Sequence, residues 1–335
     1  MKYTKKICTA ALLLAFLFTP ALRAAALGPG DMLSPVGRAV AIELETEGVL
    51  VAGLAQVETE AGSICPAGEA GLMPGDRIFA VNGLCVTGSD DFLDAVRAAG
   101  SNPVSLRAER NGRELDLVVK PARGLDGESY LGLWLRGSIS GIGTVTFHDP
   151  ASGLFGALGH GVCAGENGGS LLPIRSGAVG PASVGEVVRG EKGMPGELVG
   201  VPESGASLGS VTANTNAGIF GSATTLQGFQ TMPVAAAEEV VPGEALILST
   251  VSGSAPQTYR VQITRVDRGG EDLRQLSLQV TDPRLLTLTG GIVQGMSGSP
   301  IIQNGKLVGA VTHVLVEEPS RGYGILLESM LAAAA

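Results

Sequence analysis

Apolar and polar residues alternate over short stretches from Val40 to the C-terminus, which is the spacing of half-buried β-strands. Glycine accounts for 50 of the 335 residues, so we expect tight turns between these strands. The clearest strand candidates are Thr258 to Val266, Leu273 to Val280 and Lys306 to Val316. The pattern predicts a mainly β protein, in which residues 123–335 have the length of one sandwich or two small barrels.

The first 26 residues have the layout of a secretory leader. Lysines, an apolar run and small residues follow one another there, at Lys2, Lys5, Lys6, Ile7 to Phe18 and Ala24 to Ala26. The apolar run is shorter than the roughly 20 residues of a membrane-spanning helix, which favours cleavage after export over permanent anchoring. We therefore assign residues 1–26 to a signal peptide or N-terminal anchor, and we expect the remaining chain to act outside the cytoplasm.

The formal net charge is −9, from 23 basic and 32 acidic side chains, so a nucleic-acid partner is not expected. Of the four cysteines, Cys8 lies in the leader, and Cys65, Cys85 and Cys163 lack metal-ligand spacing. A Cys65–Cys85 disulfide and buried free thiols both remain open. Neither a metal nor an organic cofactor is expected.

A short linker at residues 27–36 precedes a recognisable motif. Residues 70–83, AGLMPGDRIFAVNG, combine a short helix, a Pro-Gly-Asp turn, a strand and an Asn-Gly hairpin, and Asp90 to Ala99 has helical spacing. This stretch resembles the PDZ family, which we assign to residues 37–122. The resemblance implies a peptide groove between a sheet edge and the helix, with a carboxylate-binding loop near Gly37 to Ile42. That loop is poor in glycine, so a docking module without peptide affinity is the alternative.

The segment Gly295-Met296-Ser297-Gly298-Ser299-Pro300 carries the candidate nucleophile, Ser297. Glycines on both sides let the backbone fold tightly, so that amide groups converge on a developing oxyanion. We predict that the amides of Gly295 and Ser297 form this oxyanion hole. The segment resembles the nucleophile turn of chymotrypsin-like peptidases.

A serine nucleophile needs a base, and the chain contains only three histidines. His160 follows an apolar approach and lies between two glycines, so we predict that it is the base. His148 stands beside an Asp-Pro turn. Thr312 and His313 lie on the strand after the nucleophile, where chymotrypsin-like folds contact the substrate. We therefore predict that Thr312 and His313 bind substrate.

The third triad group is less strongly specified, because several acidic residues are available. Asp282 ends a predicted strand fifteen residues before Ser297, and the order His, Asp, Ser agrees with the chymotrypsin arrangement. Asp267 and Asp272 compete with it, and an ordinary turn residue before Pro283 is a further alternative.

Nearly all of the chain after residue 30 resembles the SpoIVB peptidase family of spore-forming bacteria. The resemblance rests on GALGHG at 156–161, NTNAGIFG at 214–221 and TGGIVQGMSGSPIIQNGKLVGAVTHV at 289–314. It implies that residues 123–335 form a chymotrypsin-like double β-barrel, and that His160, Asp282 and Ser297 are its catalytic triad.

The same resemblance implies an exported, self-cleaving serine endopeptidase in the space between the forespore and mother-cell membranes. Its protein substrate at the membrane surface would be a membrane-bound regulator of sigma-factor processing. The PDZ module would gate self-cleavage or present substrate, with a peptide or chain terminus in its groove. A catalytically inactive scaffold is the alternative. An α/β-hydrolase is disfavoured, because a strand rather than a helix follows Ser297.

Overall fold

The computed structural model describes residues 27–164, 170–269 and 273–335; the predicted leader and Asp272 lie outside them. The first twelve strands are β1 (Met32–Pro35), β2 (Ala39–Leu54), β3 (Val57–Thr59), β4 (Gly62–Ile64), β5 (Arg77–Val81), β6 (Leu84–Cys85), β7 (Val104–Arg110), β8 (Arg113–Val119), β9 (Ala122–Arg123), β10 (Ser129–Tyr130), β11 (Leu133–His148) and β12 (Leu154–Ala157).

The remaining strands are β13 (Ile174–Val188), β14 (Glu197–Pro202), β15 (Gly209–Thr215), β16 (Gly218–Ser222), β17 (Met232–Pro233), β18 (Gly243–Ser249), β19 (Gln257–Val266), β20 (Leu276–Val280), β21 (Pro300–Gln303), β22 (Lys306–Val314) and β23 (Arg321–Leu326). The helices are α1 (Pro66–Glu69), α2 (Ser89–Ala99), α3 (Pro283–Thr289) and α4 (Leu327–Ala332), with a 3₁₀ turn at Ala237–Glu239. The predicted helix is thus confirmed as α2, and the three predicted strands as β19, β20 and β22, with β20 beginning three residues later than predicted.

Two closed six-stranded barrels form the body of the molecule. The first joins β2, β11, β12, β16, β15 and β13, and the pairing of β11 with β2 closes it. The second runs β18, β19, β20, β23, β22 and β21. Each barrel is filled by aliphatic and aromatic side chains, among them Val145, Phe155 and Ile219 in the first and Ile247, Leu278 and Val311 in the second. This confirms the predicted mainly β, double-barrel architecture.

The PDZ module is inserted between two strands of the first barrel. The N-terminal part of β2 pairs with β13 and β11 in the barrel, and its C-terminal part continues outward to pair with β5. Strands β5, β7 and β8 and helix α2 then enclose a separate core that includes Ile78, Phe92 and Leu106. The structure differs from the predicted boundary at residue 37, because the chain enters the first barrel before it enters the PDZ module.

The predicted linker also forms part of the double-barrel body. Within residues 27–36, β1 pairs with β11 through Ser34 and His148 and with β17 through Leu33 and Met232. The leading 27–36 segment is therefore structured, because its backbone groups complete sheets whose other strands come from far along the chain.

The edge of the PDZ sheet beside α2 is occupied by the chain itself. The first residues of β11, Leu133 to Arg136, pair antiparallel with Leu50 to Leu54 of β2. Helix α2 contacts β2 and β11. A peptide that adds as a strand would use this same edge. The predicted carboxylate-binding loop near Gly37 to Ile42 is not a loop either, since β2 begins at Ala39 and belongs to the barrel.

Two further observations concern the predicted organisation. Cys65, Cys85 and Cys163 are free thiols, so the Cys65–Cys85 disulfide is absent from the described part of the chain. Among the same described residues, none of the helices has the length and apolar character needed to cross a bilayer.

Candidate active site

The nucleophile turn lies at the contact between the two barrels. Gly298 has φ +96, and a methyl group there would overlap the carbonyl oxygen of Thr144 and the backbone of Leu158. Thr144 lies on β11, so the turn of the second barrel presses directly against the backbone of the first. Only glycine allows both the left-handed conformation and this close approach, which explains the Ser-Gly pair at 297–298.

Thr144 fixes the turn on either side of the nucleophile. Its N–H donates to the carbonyl of Ser297 at 3.1 Å, and its hydroxyl donates to the carbonyl of Gly295 at 2.9 Å. Its side chain is fully buried, so water does not compete for these bonds. The two carbonyls are thereby turned toward the first barrel.

The amides predicted to form the oxyanion hole remain available. Neither the N–H of Gly295 nor that of Ser297 donates a hydrogen bond to any residue within the described ranges. The neighbouring N–H groups of Met296 and Gly298 do donate, to the carbonyls of Val293 and Val311. Gly295 has φ +93, the left-handed region that glycine permits. Both amides belong to a turn that lines a cavity, so they are placed to receive an anionic oxygen.

The hydroxyl of Ser297 donates to the carbonyl oxygen of Thr312 at 2.7 Å. Thr312 is buried, and its own hydroxyl has no hydrogen-bond partner in the part of the chain that the structure describes. The next residue, His313, lies on the same strand with its ring centroid 5.2 Å from that of His160. The structure therefore brings Thr312 and His313 to the nucleophile and base.

His160 follows a backbone feature that is unusual for a bulky residue. Leu158 has φ +70, a conformation that costs energy for any side chain larger than glycine. The N–H of Leu158 donates to the carbonyl of Thr144 at 3.2 Å, so the strained residue is bonded to the same threonine that holds the nucleophile turn. The turn then continues through Gly159, φ +71, to the imidazole.

The imidazole of His160 is held in one tautomer by its neighbour. Its Nδ1 lies 3.0 Å from the carbonyl oxygen of Gly161. A carbonyl only accepts hydrogen bonds, so Nδ1 carries the proton and Nε2 keeps its lone pair. Burial lowers the pKa of His160 below its ordinary value, and the Gly161 hydrogen bond opposes that shift only in part. The ring is therefore neutral near pH 7.

His160, Gly295 and Ser297 line one cavity of about 290 Å³. The remaining lining is mainly aliphatic and comes from β2, β11 and the segment that carries His160. Among the described residues no hydrogen bond joins His160 to Ser297, since the serine hydroxyl is directed to Thr312. Apo serine peptidases commonly show such loose geometry before substrate binds.

Asp282 neither bonds to His160 nor lines this cavity, so its position differs from the one expected of the predicted triad carboxylate. It is the N-cap of α3, where one carboxylate oxygen accepts from the N–H of Arg284 at 2.9 Å. The other oxygen accepts from Arg284 Nη2 at 2.9 Å and from the N–H of Arg260 at 3.2 Å. It borders a different cavity, with Thr258 and Arg260. The guanidinium of Arg284 holds the pKa of Asp282 far below its usual range.

The physical reason for this difference is local. An aspartate before proline caps a helix well, because its carboxylate satisfies free N–H groups and proline is favoured in the first turn. The competitor Asp267 forms a surface ion pair with Arg265. His148 is buried on β11, with its Nε2 3.0 Å from the carbonyl of Ala223, so it is structural.

Sequence reasoning missed two residues of the site. Thr144 gave no signal, because a threonine in a strand is ordinary and its partners are about 150 residues away. Leu158 lies inside the recognised segment GALGHG, but its positive φ follows from tertiary packing. No pattern in the sequence indicates either role.

The comparisons with known proteins agree with this geometry. The family model described as SpoIVB peptidase S55 matches residues 127–331, and a PDZ domain model matches residues 60–110. No curated protein matches the chain. The first match covers more than half of the chain and includes His160 and Ser297. The chain therefore belongs to the SpoIVB peptidase S55 family, a family of serine peptidases, and carries a PDZ domain within it.

Proposed function

We propose that this serine endopeptidase uses Ser297 as nucleophile and His160 as base in a cleft between the two barrels. The observation that carries the proposal is the convergence of three features on one cavity. These are the Ser297 hydroxyl on a glycine turn, the neutral imidazole of His160, and the N–H groups of Gly295 and Ser297, which donate no hydrogen bond within the described ranges. This combination suits acyl transfer.

In the proposed cycle, substrate displaces the Ser297 hydroxyl from the Thr312 carbonyl. Nε2 of His160 takes the hydroxyl proton while Oγ attacks the peptide carbonyl, and the Gly295 and Ser297 amides stabilise the oxyanion. His160 then returns the proton to the departing amine, which leaves an acyl-enzyme. A water molecule, deprotonated by the same imidazole, then attacks the acyl carbon. The imidazolium returns that proton to Ser297 Oγ as the acid product leaves. The Gly161 carbonyl keeps Nδ1–H in place throughout.

The acyl part of the substrate is proposed to lie beside Thr312 and His313. The Thr312 carbonyl already accepts a hydrogen bond from the nucleophile, so it can accept one from a substrate amide instead. A substrate strand there would hold its scissile carbonyl next to Ser297.

The decisive experiment is incubation of purified protein with a protein substrate and by itself, with Ser297→Ala alongside. Ser299→Ala is the matched control, because Ser299 lies in the same turn but its hydroxyl donates to Ser249. We expect cleavage by the wild type and by Ser299→Ala and none by Ser297→Ala. Persistent cleavage by Ser297→Ala would exclude the serine mechanism.

The biological setting is part of the proposal. We infer export through the N-terminal leader, self-cleavage, and action on a membrane-bound regulator of sigma-factor processing between the forespore and mother-cell membranes. The family membership and the leader composition support this setting. Mass spectrometry of the protein recovered from sporulating cells tests it, since leader removal and internal cleavage each produce a new N-terminus.

A peptide or chain terminus is the proposed PDZ ligand. An apolar cavity of about 530 Å³ lies between α2 and the start of β11, lined by Phe92, Leu93, Val96 and Trp134. Because β11 already occupies the sheet edge, such a ligand would place apolar side chains in this cavity rather than add as a strand.

One observation favours the inactive scaffold as a second candidate: no carboxylate within the described ranges is bonded to Nδ1 of His160. The Ser297→Ala comparison separates the two candidates, because a scaffold would cleave nothing.

A further inference from the structure

We propose that the cavity beside Ser297 is a binding site for an aliphatic side chain of the substrate, on the residue that follows the scissile bond. The inference rests on the proposed function and adds the substrate class. The cavity is about 290 Å³, enough for one large side chain, and it opens directly onto the reacting groups.

The walls of the cavity are mainly aliphatic. The cavity floor is one face of the β2–β11 pair, where Ile42 lies opposite Gly141 and Leu44 lies opposite Ile139. Directly opposed residues of antiparallel strands direct their side chains to the same face, so these four positions form one surface. Leu158 and Val162 complete it.

The described lining of the cavity also carries no acidic or basic side chain other than His160. A charged substrate side chain would lose its hydration there without gaining a partner. An aliphatic side chain would exchange water for the surface of Ile42, Leu44 and Leu158, which is favourable.

Leu158, which lines the cavity, has a strained backbone. Its left-handed backbone directs its side chain over Gly143, where a methyl group on that glycine would overlap Leu158 and come within 2.7 Å of Ile42 Cδ1. Leu158 and Ile42 therefore meet above a glycine. A strained conformation at a functional site is retained when the position does something that a relaxed one cannot. Here it supplies the wall between the base and the cavity floor.

The lining residues also bear on which side of the nucleophile the cavity lies. Thr312 and His313, where the acyl part is proposed to lie, do not line this cavity, whereas Gln294 and Gly295 do. We therefore assign the cavity to the side of the nucleophile that faces away from the acyl part. That side receives the residue whose amine departs, next to His160.

Gly141 offers a test that does not disturb folding. Its φ is not in the left-handed region, and a Cβ there would meet nothing within 4 Å. Its position opposite Ile42 directs that Cβ into the cavity, so Gly141→Leu fills the cavity. Gly180→Leu is the matched control, because Gly180 also lies in open space on a barrel strand but outside this cavity.

The experiment measures kcat/KM of the full chain on three substrates with one acyl sequence. One has leucine after the scissile bond, one has alanine there, and one has a chromogenic amine in place of any residue. For the wild type we expect leucine to exceed alanine by roughly 10-fold or more. Gly141→Leu should abolish that preference, because it should lower kcat/KM on the leucine substrate far more than on the chromogenic substrate. Gly180→Leu should behave as the wild type.

The outcomes separate this inference from the proposed function. If the wild type cleaves none of the three substrates or any protein, the proposed function fails. If it cleaves them without preferring leucine, or if Gly141→Leu slows the chromogenic substrate as much as the leucine substrate, the site assignment is overturned while the peptidase stands.

Discussion

The N–H of Thr144 and the carbonyl of Ser297 are joined by a hydrogen bond of 3.1 Å across the contact between the two barrels. The hydroxyl of the same threonine holds Gly295. Removing that hydroxyl should let the Gly295–Met296 peptide rotate and misplace the oxyanion amides. We expect Thr144→Val to lower kcat by roughly 10-fold with little change in KM, since about 1.4 kcal/mol of positioning is lost.

Thr144→Ser keeps the hydroxyl and is the control for this prediction. It should retain most of the activity. An equal loss in both variants would mean that packing of the threonine methyl, rather than the hydrogen bond, holds the turn.

Asp282 provides a test of the site. Asn caps a helix about as well as Asp, so Asp282→Asn should preserve α3 and remove only the charge that faces Arg284. We expect kcat/KM within about 3-fold of the wild type, measured on the same peptide substrate. A triad carboxylate would behave differently, because its replacement by Asn costs about 10⁴-fold. A loss of that size would reinstate Asp282 as the third catalytic group.

The pH dependence follows from His160. Burial lowers its pKa, so the basic form that accepts the Ser297 proton persists to lower pH than for an exposed histidine. As pH falls, activity should be lost only when the imidazole protonates, with a kcat/KM midpoint below about 6.5. His148→Gln is the control and should leave that midpoint unchanged. A wild-type midpoint above 6.5 would contradict the prediction.

Thr312 carries a buried hydroxyl without a partner among the described residues, and such a group costs roughly 1–3 kcal/mol. We expect Thr312→Val to unfold in urea at the same concentration as the wild type or a higher one. Thr289→Val is the contrast, because the Thr289 hydroxyl donates to Leu285 at 2.9 Å and is fully buried. That variant should lose about 1–2 kcal/mol. A clear destabilisation by Thr312→Val would indicate a hidden partner.

The occupied PDZ edge predicts slow amide exchange. Residues 133–136 pair with β2, so those of their amides that donate across this ladder should exchange slowly. Leu135 packs against the PDZ core, and Leu135→Asp should speed exchange in this segment by roughly 10-fold to 100-fold, because it buries a charge there. Arg136→Glu changes an exposed charge and should not. Fast exchange in the wild type would show that the edge is open.

The sequence predicted the parts of this molecule that depend on local chemistry. Helix α2 and strand β22 follow from apolar spacing, and Ser297 and His160 follow from glycines that only tight, exposed turns require. Asp282 could not be resolved in the same way. A carboxylate before proline is equally suited to a catalytic turn and to a helix cap, and only the positions of Arg260 and Arg284 decide between them.

The insertion of the PDZ module was beyond local reasoning for a related reason. Residues 39–54 form one continuous strand, and nothing in its alternation of apolar and polar residues marks where its partners change. The partners are β13 and β11 at one end and β5 and β11 at the other, and they come from distant parts of the chain. Sheet pairing of this kind depends on long-range contacts that a one-dimensional pattern does not contain.

The two long strands β2 and β11 make the PDZ module the far end of a stretched hairpin. Glu45 still lies opposite Ser138, so a short turn between these strands would close the first barrel without the module. A single insertion event at a hairpin tip therefore suffices to explain how the module entered the chain. The module and the cavity floor therefore share their backbone: the same two strands carry the PDZ contacts at one end and Ile42 and Ile139, which line the cavity beside Ser297, nearer the other.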